Sequence, residues 1–301
     1  MSSDLIPELS YKNIAAFDPA TLSILSEALK NHGFFTIIDH GINDNLLDDS
    51  YNLAKKFFDL DETVKINYSR PEHGGARGYT PFGKETALGE KVPDLKEFWH
   101  HGPQVDNTYD DRIKGNLSVK EIDNFGSHFD DLFTCLNDLG MGVLSAIANV
   151  LDLDKDFFNK WVLKGNSVLR LIHYPPVSDS SNLQRARAHE DINLITLLVG
   201  AEESGLEVLS KSGKWIPIES RSKSIVCNIG DMMQLVTRGN LRSTTHRVVE
   251  YAKGEPKSRY SMPFFLHPSP EIILKSIVDD SEDSVSAHDF LEERIRAIKL
   301  Y

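Results

Sequence analysis

The period of hydrophobic and polar positions changes near Gly165. From Pro19 to about Leu60, apolar residues recur three and four apart. LSILSEALKNHG predicts a helix stopped by Gly33, FFTIID a short strand, and the residues up to Phe58 a second helix. Residues 70–111, with PEHGGARGYTPFG, are rich in Gly, Pro and charge and predict an extended loop of the kind that often carries function. Phe129, Leu132, Phe133, Leu136, Leu139 and Leu144 make one apolar stripe, predicting a long helix from Ser118 to about Leu151. Beyond Gly165 the period falls to two. SVLRLIHY, INLITLLV, LEVLS, KWIPI, SIVCNIG, MMQLVT, THRVVEYA and RYSMPFFLH follow one another, separated by turn residues such as Ser-Gly, Gly-Asp and Arg-Gly-Asn. Eight short strands suit a jelly roll, so the expected fold is mainly β with flanking helices. DDSEDS, from Asp279, reads as a solvated loop before a final helix, HDFLEERIRAIKL. The resulting division is an N-terminal α/β region at 1–115, a helix region at 116–164, a β core at 165–270 and a C-terminal helical segment at 271–301.

Composition narrows the partners. With 301 residues, 40% hydrophobic and 26% charged, the chain can bury a sizeable core. A formal charge of −12 argues against a phosphate-backbone partner, which clustered Lys and Arg would bind, and leaves a small molecule as the expected one. The two cysteines, Cys135 and Cys227, read as core positions. MSSDLIPELS lacks a basic n-region and an apolar h-region, and no uninterrupted 18-residue apolar run occurs. A cytoplasmic protein without a membrane partner is expected, with a monomer favoured.

Candidate chemistry begins at RAHEDINLITLLV, where His189 and Asp191 share a face if the run is a strand and Glu190 points away. A lone strand histidine is usually structural, so its partners matter. His246, 57 positions later at the start of another apolar run, can complete a set of two imidazoles and one carboxylate. Such a facial triad suits Fe(II) and leaves positions open for other ligands, whereas zinc more often takes a closed tetrahedron. In RYSMPFF, Arg259 and Ser261 alternate with Tyr260 and so share a face. A planar guanidinium beside a hydroxyl matches a carboxylate.

These motifs together resemble the iron(II)- and 2-oxoglutarate-dependent dioxygenase superfamily, in the branch that includes isopenicillin N synthase and plant hormone and flavonoid oxygenases. The resemblance extends over most of the chain: GFFTIIDHGI, RGYTPFG, LRLIHYPP, HEDINLITLL, GLEVLSKSGKWIPI, NIGDMMQLVTRGNLRSTTHRVV and RYSMPFF. It implies a double-stranded β-helix, a jelly-roll variant with a cupin-like barrel. It implies iron ligands at His189, Asp191 and His246, and a 2-oxoglutarate grip at Arg259, Ser261 and Tyr174. It also implies Fe(II), 2-oxoglutarate as cosubstrate, dioxygen, and ascorbate as an auxiliary reductant. The activity implied is oxidative decarboxylation of 2-oxoglutarate coupled to hydroxylation or desaturation of a small organic substrate. Two departures stand out. Ile172 occupies the place of an Asn that many plant members carry, removing one polar contact to the cosubstrate, and HEDxxLIT is closer to isopenicillin N synthase. A 2-oxoglutarate-independent oxidase of that type, or a non-catalytic barrel binding a small acid, are therefore the alternatives. For the substrate pocket the candidates are Arg77, Tyr79, Phe98 and Trp99, although aromatics are commonly core and an Arg in such a loop commonly braces it.

Overall fold

The computed structural model describes residues 5–85, 94–176, 185–200, 205–218, 223–249 and 257–297. The chain runs β1 (Glu8–Ser10), α1 (Tyr11–Ala15), α2 (Pro19–Asn31), β2 (Phe34–Ile38), α3 (Asp44–Phe58) and α4 (Glu62–Lys65). It continues with β3 (Gly78–Thr80), β4 (Glu97–His101), α5 (Phe125–Val150) and α6 (Asn159–Val162). Next come β5 (Val168–Tyr174), β6 (Ala186–His189), β7 (Ile195–Val199), β8 (Leu206–Leu209), β9 (Trp215–Pro217) and β10 (Ile225–Ile229). Then follow α7 (Asp231–Val236), β11 (His246–Val248), β12 (Arg259–Leu266), β13 (Ile273–Lys275), β14 (Ser284–Ser286) and α8 (Ala287–Ala297).

Local chemistry sets the boundaries of α2. The Asp18 carboxylate accepts from Thr21 N at 2.8 Å and Pro19 occupies the first turn. At the other end Gly33 takes φ 67° and donates to Ala28 O at 2.9 Å. A Cβ at Gly33 would lie 2.1 Å from the Arg242 carbonyl oxygen, so the turn into β2 requires glycine twice over.

The protein is mostly sheet with helices flanking it. Eight strands form the main sheet in the order β1-β2-β10-β7-β12-β5-β4-β3; β6-β11-β8-β9 form a second sheet and β13-β14 a hairpin. Strands near both ends of the chain thus join one sheet, with β2 paired antiparallel to β10. Helix α5 supplies the core of the outer face: Phe129, Leu132, Phe133 and Leu136 are buried, and Phe133 meets Phe264 edge-on at 5.0 Å. By strand alternation, Met262, Phe264 and Leu266 belong to that core while Arg259 and Ser261 face the opposite way. There a smaller cluster of Phe98, Ile172, Tyr174, Ala186 and Val248 joins the main sheet to β6 and β11.

Several expectations change. MMQLVT is not a strand but the body of α7, with Met232, Met233 and Val236 buried and the Thr237 hydroxyl returning to Met233 O at 2.8 Å. A short apolar run has no period that separates strand from helix. The 70–111 segment contains β3, an edge strand of the main sheet, and β4, which lies between β3 and β5; every position of both is buried, which erases the alternation that marks a strand. Helix α5 starts at Phe125 rather than Ser118, because Asn124 just before it is left-handed at φ 59°. By length and composition alone α5 could cross a membrane, but it packs against the sheet. Cys227 is buried, whereas Cys135 is only half-buried on α5. The last residues of the final helix and part of THRVVEYA lie outside the described residues.

Candidate active site

His189, Asp191 and His246 converge: one ligand atom from each lies within 4.8 Å of the other two. Antiparallel pairing of β6 with β11 sets His189 directly opposite His246, with ring centroids 4.4 Å apart. Strand β6 ends at His189, so Asp191 arrives from the following loop rather than by the strand alternation that the spacing suggested. Glu190 takes a different direction and accepts from Thr245 Oγ1 at 2.9 Å.

Each ligand's remaining polar atom is engaged. His189 Nδ1 donates to Arg187 O at 2.7 Å and His246 Nδ1 to Thr244 O at 3.1 Å, which leaves both Nε2 lone pairs directed inward. Those nitrogens stand 3.9 and 3.8 Å from Asp191 Oδ1. The second aspartate oxygen, Oδ2, accepts from Thr196 Oγ1 at 2.6 Å and Asn228 Nδ2 at 2.8 Å. Although burial favours the neutral acid, the two imidazoles and these hydrogen bonds hold the Asp191 carboxyl below its usual range. Enclosure and the neighbouring His246 push His189 down to about 4, keeping it a neutral ligand at neutral pH. Two imidazoles and one carboxylate, each oriented by a second bond, form a donor set that fits Fe(II).

On the inner face of the main sheet, Arg259 pairs with Tyr174 and Ser261 with Ile172 across β12 and β5. All four side chains are buried, and the Arg259 guanidinium lies 5.4 Å from the centre of the Tyr174 ring. Ile172 offers no polar contact there and packs with Phe98 instead.

A cavity of about 740 Å³ adjoins the triad, lined among others by Lys96, Arg170, His267, Leu291 and Ile295, so that α8 forms one wall. Of the four proposed pocket residues, only Arg77 reaches it. It acts mainly as a loop brace, donating to Lys114 O at 2.9 Å and Asn166 Oδ1 at 3.2 Å, and Gly102 makes room for its guanidinium. Tyr79 and Trp99 project to the α5 side, where Phe57 meets both rings and Tyr79 donates to Glu97 Oε2 at 2.5 Å. Phe98 lies on the inner face but does not line the cavity; it supports Arg170, whose guanidinium stacks at 4.4 Å. The strand assignment decides this: odd and even positions of β4 face opposite ways, which a loop reading could not separate.

The residues missed form a buried charge network. Arg170 donates to His100 Nε2 at 2.6 Å and Glu85 at 3.2 Å, and Lys96 joins Glu85 at 2.5 Å and Asp94 at 2.9 Å. Against burial, Arg170 and Lys96 hold Glu85 well below the ordinary carboxylate range. Arg170 was legible as the one charge inside SVLRLIHY; nothing local marked Glu85 or Lys96.

Comparison with known proteins agrees with this geometry. Residues 165–268 match the family model of the 2OG-Fe(II) oxygenase superfamily, and residues 6–120 that of the N-terminal region of non-haem dioxygenases in morphine synthesis. A homoarginine-6-hydroxylase from Oryza sativa subsp. japonica is 32% identical over 81% of this chain and 76% of its own. A 2-oxoglutarate-dependent dioxygenase from Dothideomycetidae sp. is 30% identical, covering 90% and 88%. Among solved structures, a 2OG-Fe(II) oxygenase family protein from Caulobacter crescentus superposes with TM-score 0.86 at 39% identity, covering 98% and 99% of the two chains. A full-length Neurospora crassa protein in complex with alpha-KG and thymine gives TM-score 0.86 at 25% identity, covering 97% and 96%. The chain belongs to the 2OG-Fe(II) oxygenase superfamily. Its activity is that of an Fe(II)- and 2-oxoglutarate-dependent oxygenase, and neither alternative finds support among these relatives.

Proposed function

We propose that His189, Asp191 and His246 hold the Fe(II), that Arg259 and Ser261 with Tyr174 hold the distal carboxylate of 2-oxoglutarate, and that a small organic molecule is oxidised in the cavity under α8. The observation that carries this reading is the convergence of the three ligand atoms within 4.8 Å, each residue pinned by its own second hydrogen bond. The two facing sheets, joined by the Phe98–Ile172–Val248 cluster, support a double-stranded β-helix as the finer description.

When bound, Fe(II) and 2-oxoglutarate supply a dioxygen-dependent oxidation of the substrate, driven by oxidative decarboxylation of the cosubstrate. The protein's part is placement. Carbonyls of Arg187 and Thr244 fix the imidazole tautomers, and Thr196 with Asn228 commits one Asp191 oxygen so that the other remains for the metal. Arg259 carries a planar guanidinium, matched in shape to a carboxylate, at a buried point on the inner face of the main sheet. The fixed distance between grip and triad determines which atoms of the cosubstrate reach the metal. A relative named for homoarginine and a neighbour holding thymine support a small-molecule substrate without choosing one.

The direct test is anaerobic iron titration followed by 2-oxoglutarate consumption and succinate release with ascorbate in the assay. Stoichiometric iron and succinate production are expected. Iron binding that survives Asp191→Ala would refute the assignment.

A further inference from the structure

The inner face of the main sheet carries polar groups at the end opposite the proposed cosubstrate grip. In the β5–β12 ladder, Tyr174 faces Arg259, Ile172 faces Ser261 and Val168 faces Phe265. The same register carried one inner-face step further sets Asn166 against His267. Backbone bonds hold the chains together there: Asn166 N donates to Pro268 O at 3.3 Å and His267 N to Ser167 Oγ at 3.2 Å. From Ser261 to His267 is roughly 20 Å at the rise of a strand. The metal ligands lie beside the far end of that span, since Asp191 is hydrogen-bonded to Thr196, which faces Phe265 across β7 and β12.

Three side chains at this end line the cavity with hydrogen-bonding capacity to spare. Asn166 accepts from Arg77 through Oδ1, which turns its amide nitrogen away from that arginine. Arg170 uses Nε on His100 and Nη1 on Glu85, while its second terminal nitrogen, Nη2, bonds to none of the described residues. Its guanidinium is clamped between Phe98 at 4.4 Å and Phe265 at 5.3 Å, and His100, held by Gly75 O at 2.8 Å, fixes the other edge. His267 is only 8% exposed, yet neither of its ring nitrogens bonds to a described residue, and Nδ1 is fully enclosed. Burial, with Arg77 and Arg170 nearby, pushes its pKa down to about 4, so the ring is neutral at neutral pH. An arriving oxygen acceptor selects the tautomer with hydrogen on Nε2.

Of the acids lining the cavity, Glu85 and Glu190 are engaged, whereas Asp94 and Asp231 each keep one enclosed oxygen without a hydrogen bond among the described residues. Glu190 accepts from Thr245, Glu85 is shared by Arg170 and Lys96, and Arg294 stands 3.8 Å from Asp231. At the Asn166–His267 end what is left over is a set of donors, one of them a rigid cation edge. Donors that face the cavity and have no partner among the described residues are complementary to an oxygen-rich anion.

We propose that Asn166, Arg170 and His267 recognise the primary substrate, and that this substrate is a small carboxylic acid whose carboxylate these donors hold. Its carbon skeleton lies along Phe265 and the Leu291–Ile295 face of α8, bringing C–H bonds to the triad. The inference rests on the metal and cosubstrate assignment above. It places two carboxylate-binding sites on one sheet face, Arg259 at one end and Arg170 with His267 at the other.

The test uses the anaerobic, metal- and 2-oxoglutarate-loaded enzyme and a panel of small aliphatic and aryl monocarboxylates, each with the primary amide and the alcohol of the same skeleton. Binding is followed by calorimetry and, in air, by stimulated succinate release. The acids are expected to bind at least about tenfold tighter than their neutral counterparts. His267→Ala should weaken the best acid about ten- to hundredfold, the range expected for losing a hydrogen bond to a charged group. His267→Asn, which restores an amide donor, should recover most of the loss and so separates recognition from folding. Amides or alcohols that bind as well as the acids, or acid binding within twofold of wild type in His267→Ala, would overturn the proposal. Calorimetry of 2-oxoglutarate alone distinguishes the two levels: its failure defeats the cosubstrate assignment, whereas 2-oxoglutarate binding without acid preference defeats only this inference.

Discussion

Asp191 divides its two oxygens between tasks, and the division makes separate predictions for the ligand and its supports. Asp191→Ala removes the only negative charge in the ligand set and should abolish both iron binding and turnover, read by iron stoichiometry and succinate release. Thr196→Val or Asn228→Leu leaves Oδ1 in place but removes one of the two hydrogen bonds that hold Oδ2, so iron affinity should fall on the order of 10- to 100-fold in a competitive chelator titration. Arg259 is proposed for a different role, that of a binding group with no place in the ligand set. Arg259→Ala should raise the dissociation constant for 2-oxoglutarate about a hundredfold while iron still binds, and Arg259→Lys should recover only part because an ammonium has no fork. An unchanged cosubstrate affinity in Arg259→Ala would locate the grip elsewhere.

Among the elements, β4 decides which of the neighbouring aromatics belong to the site. Glu97 points to the helix side, where Lys65 at 2.8 Å, Tyr79 and His173 at 2.7 Å meet its carboxylate. Tyr79→Phe removes one bond from that buried acid, and should cost about 1–3 kcal/mol in denaturant unfolding with 2-oxoglutarate affinity unchanged. A change in cosubstrate affinity would return Tyr79 to the pocket. The α2–β2 turn is constrained differently, by backbone conformation and contact. Gly33→Ala places a methyl against the Arg242 carbonyl in a left-handed residue, and should cost at least about 1–2 kcal/mol, seen as a lower denaturation midpoint. A midpoint equal to wild type would show that the turn relaxes without strain.

At the scale of the whole molecule, buried titratable groups make the fold acid-sensitive. His267 has a pKa of about 4 in the folded protein against 6.5 for a free imidazole, and His100 and His101 are lowered in the same direction by burial. A base with a depressed folded pKa is protonated first in the unfolded chain, so stability falls as pH drops below about 6.5 and the loss is complete near the folded value. For His267 alone this amounts to about 2 kcal/mol between pH 7.5 and 5. Glu97, whose carboxyl is held below its ordinary range by its hydrogen-bond donors against the effect of burial, adds a loss of the same sign at lower pH. The melting temperature of the metal-free protein should therefore decline steadily from pH 7.5 to 5, and His267→Asn should flatten the slope. A melting temperature independent of pH in that range would contradict the burial of these rings.

The chain itself determined the helices α2, α3 and α5, most strands of the second half, and the residue types of the metal set, because period, caps and donor chemistry are local properties. The resemblance of ordered motifs added the proposed grip at Arg259 and Ser261. Only the tertiary structure decided that Asp191 reaches the triad from a loop, that 70–111 supplies the last two strands of the main sheet, and that MMQLVT is helical. Fully buried short segments lose the alternation that identifies them, so their state is set by what packs on them. The same holds for the cavity wall. Glu85, Lys96, Asn166, His267 and α8 come from five separate stretches, and nothing in any one of them records the others.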